Sequence, residues 1–479
     1  MQCPTKKYVL LEARDAVGGT WDLFRYPGIR SDSDMHTLGF SFHPWQGKDA
    51  IAEGSKIRNY IAETADHYGI TPNLRLGHKV ISAHWSSERA RWRVTAQRQD
   101  ATHVVFEARF LFMGSGYYNY DEAHDPLFEG RDEFQGTIVH PQFWPEDLDV
   151  TGKRVVVIGS GATAVTLIPS LAPHAQHVTM LQRSPTYIVA RPARDWLANL
   201  LKKVLPGDIG AHASRWKNVL LGRYFVNRSR KRPQRVMEFL LKLVKAELPA
   251  GYNMEHFTPR YNPWEQRICL APDGDFFQAI REGTASIVTD QIERFTATGI
   301  RLKSGQELQA DVIITATGLK LLTGANVEIA VDAIPIKFGD VFSYKGVMFS
   351  NVPNFSLVFG YTAASWTLKA DLAAIYFCRL IKFMDEHGYD VALPYLADPD
   401  AMEKLPMLSL SAGYIQRSIN DLPKQGPSHP WVIHQDYLLD RKILLRDPLQ
   451  DGVLKLSRHS VSTAAGDSSS KQAVYPLTA

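Results

Sequence analysis

The sequence predicts an α/β protein with two Rossmann-like nucleotide folds and a helical insertion between strands of the second. Three observations carry this reading. A β-branched run, residues 153–158, passes straight into Gly159-Ser-Gly161-Ala-Thr-Ala164 and then into an apolar-periodic helix. A shorter apolar run, Tyr8 to Glu12, ends in a carboxylate and leads to the glycine pair Gly18-Gly19. A long basic stretch of helical period then separates the complete unit from a buried strand that ends in Ala316-Thr317-Gly318.

Taken in order, residues 8–12 read as the second strand of a dinucleotide-binding unit. An acidic side chain there, Glu12, accepts hydrogen bonds from a ribose 2′-hydroxyl. Residues 56–69 have helical spacing and stop at Gly69. Two alternating runs, 91–98 and 103–116, are divided by a short polar break and read as antiparallel strands. The second ends in a glycine turn, followed by Asn119 as a candidate cofactor contact.

Residues 153–172 form a complete Rossmann opening, in which glycine-turn N–H groups and a helix N-terminus face a pyrophosphate. Gly159 and Gly161 belong to the turn, and Ala164 to the close helix–strand approach. The next strand, "VTMLQRS", ends without an acid and offers Arg183. A carboxylate would repel a 2′-phosphate, whereas a guanidinium pairs with it, so this site should prefer NADP over NAD. Residues 191–260 turn helical and basic, including "RYFVNRSRKRPQR" from Arg223. A solvated face of an inserted subdomain is the plainer reading, with contact to anionic lipid or nucleic acid as the alternative. Residues 299–318 supply a hairpin and a buried strand. A last strand near 354–360 precedes a helix that Ser365 is placed to cap.

Composition narrows the function. The 479 residues leave room for roughly two to four domains. A net charge of +4 is too small over this length to argue for a nucleic-acid partner. Cys3, Cys269 and Cys378 are too scattered for a disulfide framework, a metal site or the redox pair of a disulfide reductase. No metal is expected, and a reducing, cytoplasmic setting fits, with peripheral membrane contact left open. Neither a spanning helix nor a signal peptide is expected. Residues 459–479 are expected to be a disordered tail.

The stretch "FQGTIVHPQFWP" then carries a resemblance. Phe134-x-Gly136-x-x-x-His140-x-x-x-Trp144-Pro145 resembles the fingerprint of Baeyer–Villiger monooxygenases, the class B flavoprotein monooxygenases. A second signature of that family, Gly-Gly-x-Trp, four residues, Tyr-Pro-Gly, three residues, Asp, is met from Gly18 to Asp32. With the second glycine motif and "DVIITATG", the resemblance spans nearly the whole chain. It implies FAD and NADPH as cofactors and a C4a-(hydro)peroxyflavin as the oxygenating species. Ketones would become esters or lactones, and sulfur compounds such as thioamides would be oxygenated.

The resemblance also implies site residues. Arg267 would supply a fixed positive charge and Asp32 its partner, with Gly19, Trp21 and Tyr26 shaping the flavin pocket. Gln266 stands where some relatives carry a lysine, which leaves more of the NADP selectivity to Arg183. His140 is expected to organise a domain connection rather than to transfer protons. Trp144-Pro145 favours the Baeyer–Villiger branch over N- or S-oxygenating flavin monooxygenases. The implied domains are an FAD-binding domain in two parts, 1–146 and 312–458, around an NADP-binding domain, 147–311, with its helical insertion at about 191–262. The family's first strand and glycine loop would fall before Tyr8, so the first βα unit is expected to be truncated. An inactive or NADP-only remnant is the alternative that this raises.

Overall fold

The computed structural model describes residues 2–408, 410–459 and 474–475. At its centre lies the strand Arg154–Ile158, whose uninterrupted aliphatic run suits a position covered on both faces. It belongs to a five-stranded parallel sheet. The order is Ala285–Thr289, His177–Gln182, Arg154–Ile158, Val312–Thr315, Thr137–Val139. Alternate side chains of the central strand point to opposite layers. Val155 and Val157 join Leu167, Phe276 and Phe277 under the helices Ala162–Leu171 and Asp275–Arg281. Val156 and Ile158 join Phe134, Phe295 and Ile300, on the side of an antiparallel meander, residues 292–309.

Two strands of this sheet lie outside the expected limits of 147 and 311. Val312–Thr315 pairs with the central strand and Thr137–Val139 pairs with Val312–Thr315 at the sheet edge, so the sheet reaches into both flanking parts. The fingerprint that begins at Phe134 thereby enters the nucleotide half through backbone pairing.

The other half is built on the antiparallel strands His78–Ser86, Arg91–Arg98 and His103–Ala108, where buried Trp85 and Trp92 pair across the ladder. Two short parallel pairs stand beside them, Leu10–Leu11 with Leu74–Arg75 and Phe355–Leu357 with Leu111–Met113. The helix Trp366–His387 packs through Leu372, Tyr376 and Leu380 into a third core. Ser365 does stand at its N-cap position, but its hydroxyl makes no capping bond and is buried without a partner among the described residues. The expected tail lies largely outside the described residues. Within it, Val474–Tyr475 pairs in parallel with His103–Ala108.

The basic stretch forms three helices, Trp196–Val204, Ile209–Lys231 and Pro233–Glu247. Arg215 pins the middle one by donating to the carbonyls of His36, Thr37 and Gly39 and by pairing with Asp371 at 2.8 Å. Asn218 adds a bond to Asp34. The insertion is thus fastened to the segment that follows Asp32. No described helix is long and apolar enough to cross a membrane.

Candidate active site

The glycine turn of the nucleotide half is built for close approach. Gly159 has φ +136°, and a Cβ there would stand 2.3 Å from the Ala316 carbonyl oxygen, so no other residue fits without moving the neighbouring strand end. A Cβ on Gly161 would meet nothing within 4 Å, leaving open space above the start of the helix Ala162–Leu171. Ala164 is fully buried against the sheet, where a larger side chain would lift the helix.

Arg183 follows the strand His177–Gln182, is exposed and has no carboxylate partner among the described residues. A second cation faces it. Arg417 ends the short helix Gly413–Arg417, and burial, then the nearby Arg183 charge, push its guanidinium below its ordinary value. Two like charges without a carboxylate between them suit a dianionic phosphate. Arg417 carries no motif in the sequence and lies far along the chain from the glycine turn, so pattern reading missed it. Open backbone donors and this arginine pair fit an NADP-type ligand.

Asp32 and Arg267 meet in the same structure, with Arg267 Nη1 2.7 Å from Asp32 Oδ2. Burial opposes the Arg267 charge, but the Asp32 carboxylate outweighs it and holds the guanidinium firmly protonated. The pair leaves donors spare: Arg267 Nε and Trp264 Nε1 are buried without partners among the described residues. Arg267 lines a narrow cleft together with Tyr117, Tyr361, Trp366, Leu410 and Tyr414. Tyr117 stacks on Trp366 at 4.6 Å between ring centroids. Burial raises the Tyr117 and Tyr118 phenols, which stay neutral donors beside the guanidinium. A fixed cation with an unspent donor in an aromatic cleft fits a ligand on which negative charge develops.

The Gly18–Asp32 signature begins as a turn, with φ +124° at Gly18 and +56° at Gly19, before the helix Thr20–Leu23. Glu12 closes the strand Leu10–Leu11 and accepts from the Arg14 N–H at 2.9 Å. Trp21 packs on a small core of Met35, Trp45, Ala52, Ile57 and Tyr60. Tyr26 departs from expectation: it is buried with Ala164, Val165 and Ile168 in the nucleotide-half core rather than lining an open pocket. Gly28 explains why. With φ +75°, its backbone lies so close to the helix Ala162–Leu171 that a Cβ would stand 1.9 Å from Ser170 Oγ. Arg30 adds an ion pair with Asp275 of the same half.

The fingerprint residues make connecting contacts. Phe134 packs edge-on against Phe295, and a Cβ at Gly136 would lie 2.4 Å from the Asp311 carbonyl oxygen. His140 Nδ1 accepts from the Gln142 N–H at 3.1 Å, which leaves the ring proton on Nε2, facing the Gly318 backbone. Burial depresses His140 below its ordinary value, so the ring is neutral near pH 7. Gln142 in turn donates to the carbonyls of Asn119 and Tyr120. The Asn119 side-chain oxygen is taken up by the N–H groups of Asp121 and Glu122. Trp144 packs against the nucleotide-half core, and Pro145 accepts the turn bond from Leu148.

Residues 35–354 match the family described as flavin-binding monooxygenase-like. The chain is 51% identical to the FAD-containing monooxygenase EthA of Mycobacterium tuberculosis, over 95% of this chain and 94% of that relative. It is 47% identical to EthA of Mycolicibacterium smegmatis, over 98% and 95%. Among solved structures it is similar to an oxidised steroid monooxygenase bound to NADP, with a TM-score of 0.72 and 22% identity over 94% of each chain. An open cyclohexanone monooxygenase gives 0.68 and 22%, over 82% of this chain and 85% of that one. At this identity the two structures share the fold.

Proposed function

The chain belongs to the flavin-binding monooxygenase-like family, and from that premise we propose that it is an FAD- and NADPH-dependent monooxygenase of the Baeyer–Villiger type. It inserts one oxygen atom of O2 into a lipophilic ketone, giving an ester or lactone, and it oxygenates sulfur compounds such as thioamides. The observation that carries the reading is the Asp32–Arg267 pair with its spare Nε at an aromatic cleft.

When bound, FAD and NADPH supply hydride transfer and the activation of O2. The chain's own residues bind, orient and stabilise charge. Arg267 provides a preorganised cation where negative oxygen develops, in a site lined by apolar and aromatic groups. Asp32 positions that cation. Its side chain is half exposed, which screens the pair and lets the guanidinium turn without a large cost. Gly159 and Gly161 admit the NADPH pyrophosphate, Ala164 seats the helix against the sheet, and Arg183 with Arg417 reads the 2′-phosphate. Glu12 receives the ribose hydroxyl of FAD, and Gly19 and Trp21 give the turn beside the flavin. His140, neutral and bonded through Nδ1 to the Gln142 N–H, keeps the connection between halves in register. FAD is assigned to the half that carries Leu10–Leu11 and Phe355–Leu357, and NADPH to the five-stranded half.

The test uses purified protein supplied with FAD, NADPH, a lipophilic ketone and ¹⁸O2. One labelled oxygen in the ester, with NADPH consumed in step, is the expected result. NADPH oxidation that yields only hydrogen peroxide, for every ketone and thioamide offered, would sink the proposal. Failure to take up flavin while NADPH still binds would point instead to the NADP-only reading.

A further inference from the structure

The helical insertion carries a surface for which the oxygenation chemistry has no use. On the helix Trp196–Val204, Ala198 is buried while Trp196, Leu200 and Val204, four residues apart, stand in solvent, with Trp196 75% exposed. The next helix continues the pattern with Ile209, Leu220, Leu221 and Tyr224. The third buries Val236, Leu240 and Val244 and turns Phe239 and Leu243 outward. Ten of the twenty large apolar side chains exposed among the described residues fall between positions 196 and 243. Such concentration on a folded protein marks an interaction surface.

Charge identifies the partner. Residues 196–247 hold twelve Lys and Arg against three Asp and Glu, a net +9 in a chain whose total is only +4. Arg228, Arg230, Lys231, Arg232 and Arg235, at the join of the second and third helices, have no carboxylate partner among the described residues. Helices with an apolar stripe flanked by cations lie in the boundary between lipid headgroups and acyl chains. A nucleic acid would meet the charge but leave Trp196, Leu200 and Val204 wet. A second copy of the chain would cover the apolar groups but set +9 against +9. We propose that this insertion docks the protein on an anionic lipid bilayer, with the apolar stripe entering the interface and the Arg228–Arg235 run facing lipid phosphates. The inner face of the same long helix is bonded through Arg215 and Asn218 to residues 34–39. The bilayer therefore lies one helix thickness from the segment that follows Asp32, a short route for a lipophilic substrate.

The experiment is flotation of the full, FAD-loaded chain with vesicles of phosphatidylcholine, with and without phosphatidylglycerol, at low and at high salt. The protein should float with phosphatidylglycerol vesicles, weakly with phosphatidylcholine, and should be released by salt. Arg230→Gln with Lys231→Gln should lower partitioning about thirtyfold. Trp196→Ser with Leu200→Ser should lower it at least about tenfold. All four positions are exposed, so far-UV circular dichroism and melting should be unchanged. No flotation with phosphatidylglycerol, or equal flotation with both vesicles, overturns the proposal. So does a dimer in sedimentation velocity that the Trp196/Leu200 variant dissolves while flotation is untouched, which would make the face an interface between copies. Flavin content and NADPH oxidation do not enter these readouts, so the docking fails or stands apart from the oxygenase reading.

Discussion

Replacing Arg183 with alanine isolates the reading of the 2′-phosphate. The guanidinium is exposed and free of carboxylates among the described residues, so its charge is available to a ligand yet screened by water. A hydrogen bond from an ionised donor is worth about 1.5–3 kcal/mol, and exposure places this one at the lower end. A loss of about 1.5–2 kcal/mol raises the KM for NADPH about ten- to thirtyfold. Arg417 shares the phosphate at closer quarters with protein but against the opposing charge of Arg183, so Arg417→Ala should cost roughly three- to tenfold. With Arg183 gone, that opposition is gone too and Arg417 counts for more, so the double variant should exceed the product of the two single effects. NADH has no phosphate to lose, so its KM should stay within about twofold throughout. The assay is steady-state oxidation of NADPH and NADH by the FAD-loaded enzyme at saturating ketone, at two ionic strengths. An Arg183→Ala variant that raises both KM values by the same factor, or an Arg417→Ala variant that leaves the NADPH value untouched, refutes the reasoning.

Arg267→Ala should lower ester formation by about 100- to 1000-fold, the cost of removing one preorganised charge stabiliser, while NADPH is still consumed. The ester-to-NADPH ratio reads this, and a ratio at the parent level would remove Arg267 from the chemistry. Asp32→Asn should cost less, about five- to tenfold, because both side chains are partly exposed and the pair is screened; a loss as large as that of Arg267→Ala would contradict its positioning role. Gly28→Ala forces a Cβ to 1.9 Å from Ser170 Oγ at a φ of +75°, and should destabilise by about 2–4 kcal/mol in thermal melts; an unchanged melt would refute the close packing. Acid should weaken the fold in two windows. Burial lowers His36 and His140, so the unfolded chain binds their protons first, and the stability they confer is full above pH 6.5 and lost as pH falls below it. Asp311, held at about 2 chiefly by hydrogen bonds from Arg154, confers stability that is present above its ordinary value of 3.8 and lost toward pH 2. Urea midpoints should therefore fall between pH 7 and 5.5, and His140→Gln should flatten that fall.

What could be read from sequence was local. The run from Lys153 to Ala172 announces a strand, turn and helix because burial of both sheet faces, glycine geometry and helical period each leave a mark within twenty residues. Arg183 follows from its place at the end of the next strand. Asp32 and Arg267 lie far apart in the chain, and neither has a local pattern that names the other; only the resemblance pairs them. Arg417 escaped because a five-residue helix carries no period and its neighbour Arg183 comes from another half. Tyr26 lies in the core for a reason equally hidden from the sequence. An aromatic residue after a glycine turn looks the same in sequence whether it lines a pocket or fills a core, and only the approach of Gly28 to Ser170 decides. Likewise Ser365 marks the helix start correctly, though burial, not capping, occupies its hydroxyl.

The packing of Tyr26, Gly28 and Arg30 changes what the nearby ion pair is for. These three fasten the end of the Gly18–Asp32 stretch onto the five-stranded half. Arg267 belongs to that half as well, two residues before Cys269–Pro272, whose Cys269 and Ala271 lie in the same core. Asp32 and Arg267 are therefore fellow passengers, and their 2.7 Å bond is no latch between moving parts. If the halves turn against each other, the pair rides along intact, as cargo of the five-stranded half. One charge can then reach two positions in turn, and its carrier is the whole five-stranded half.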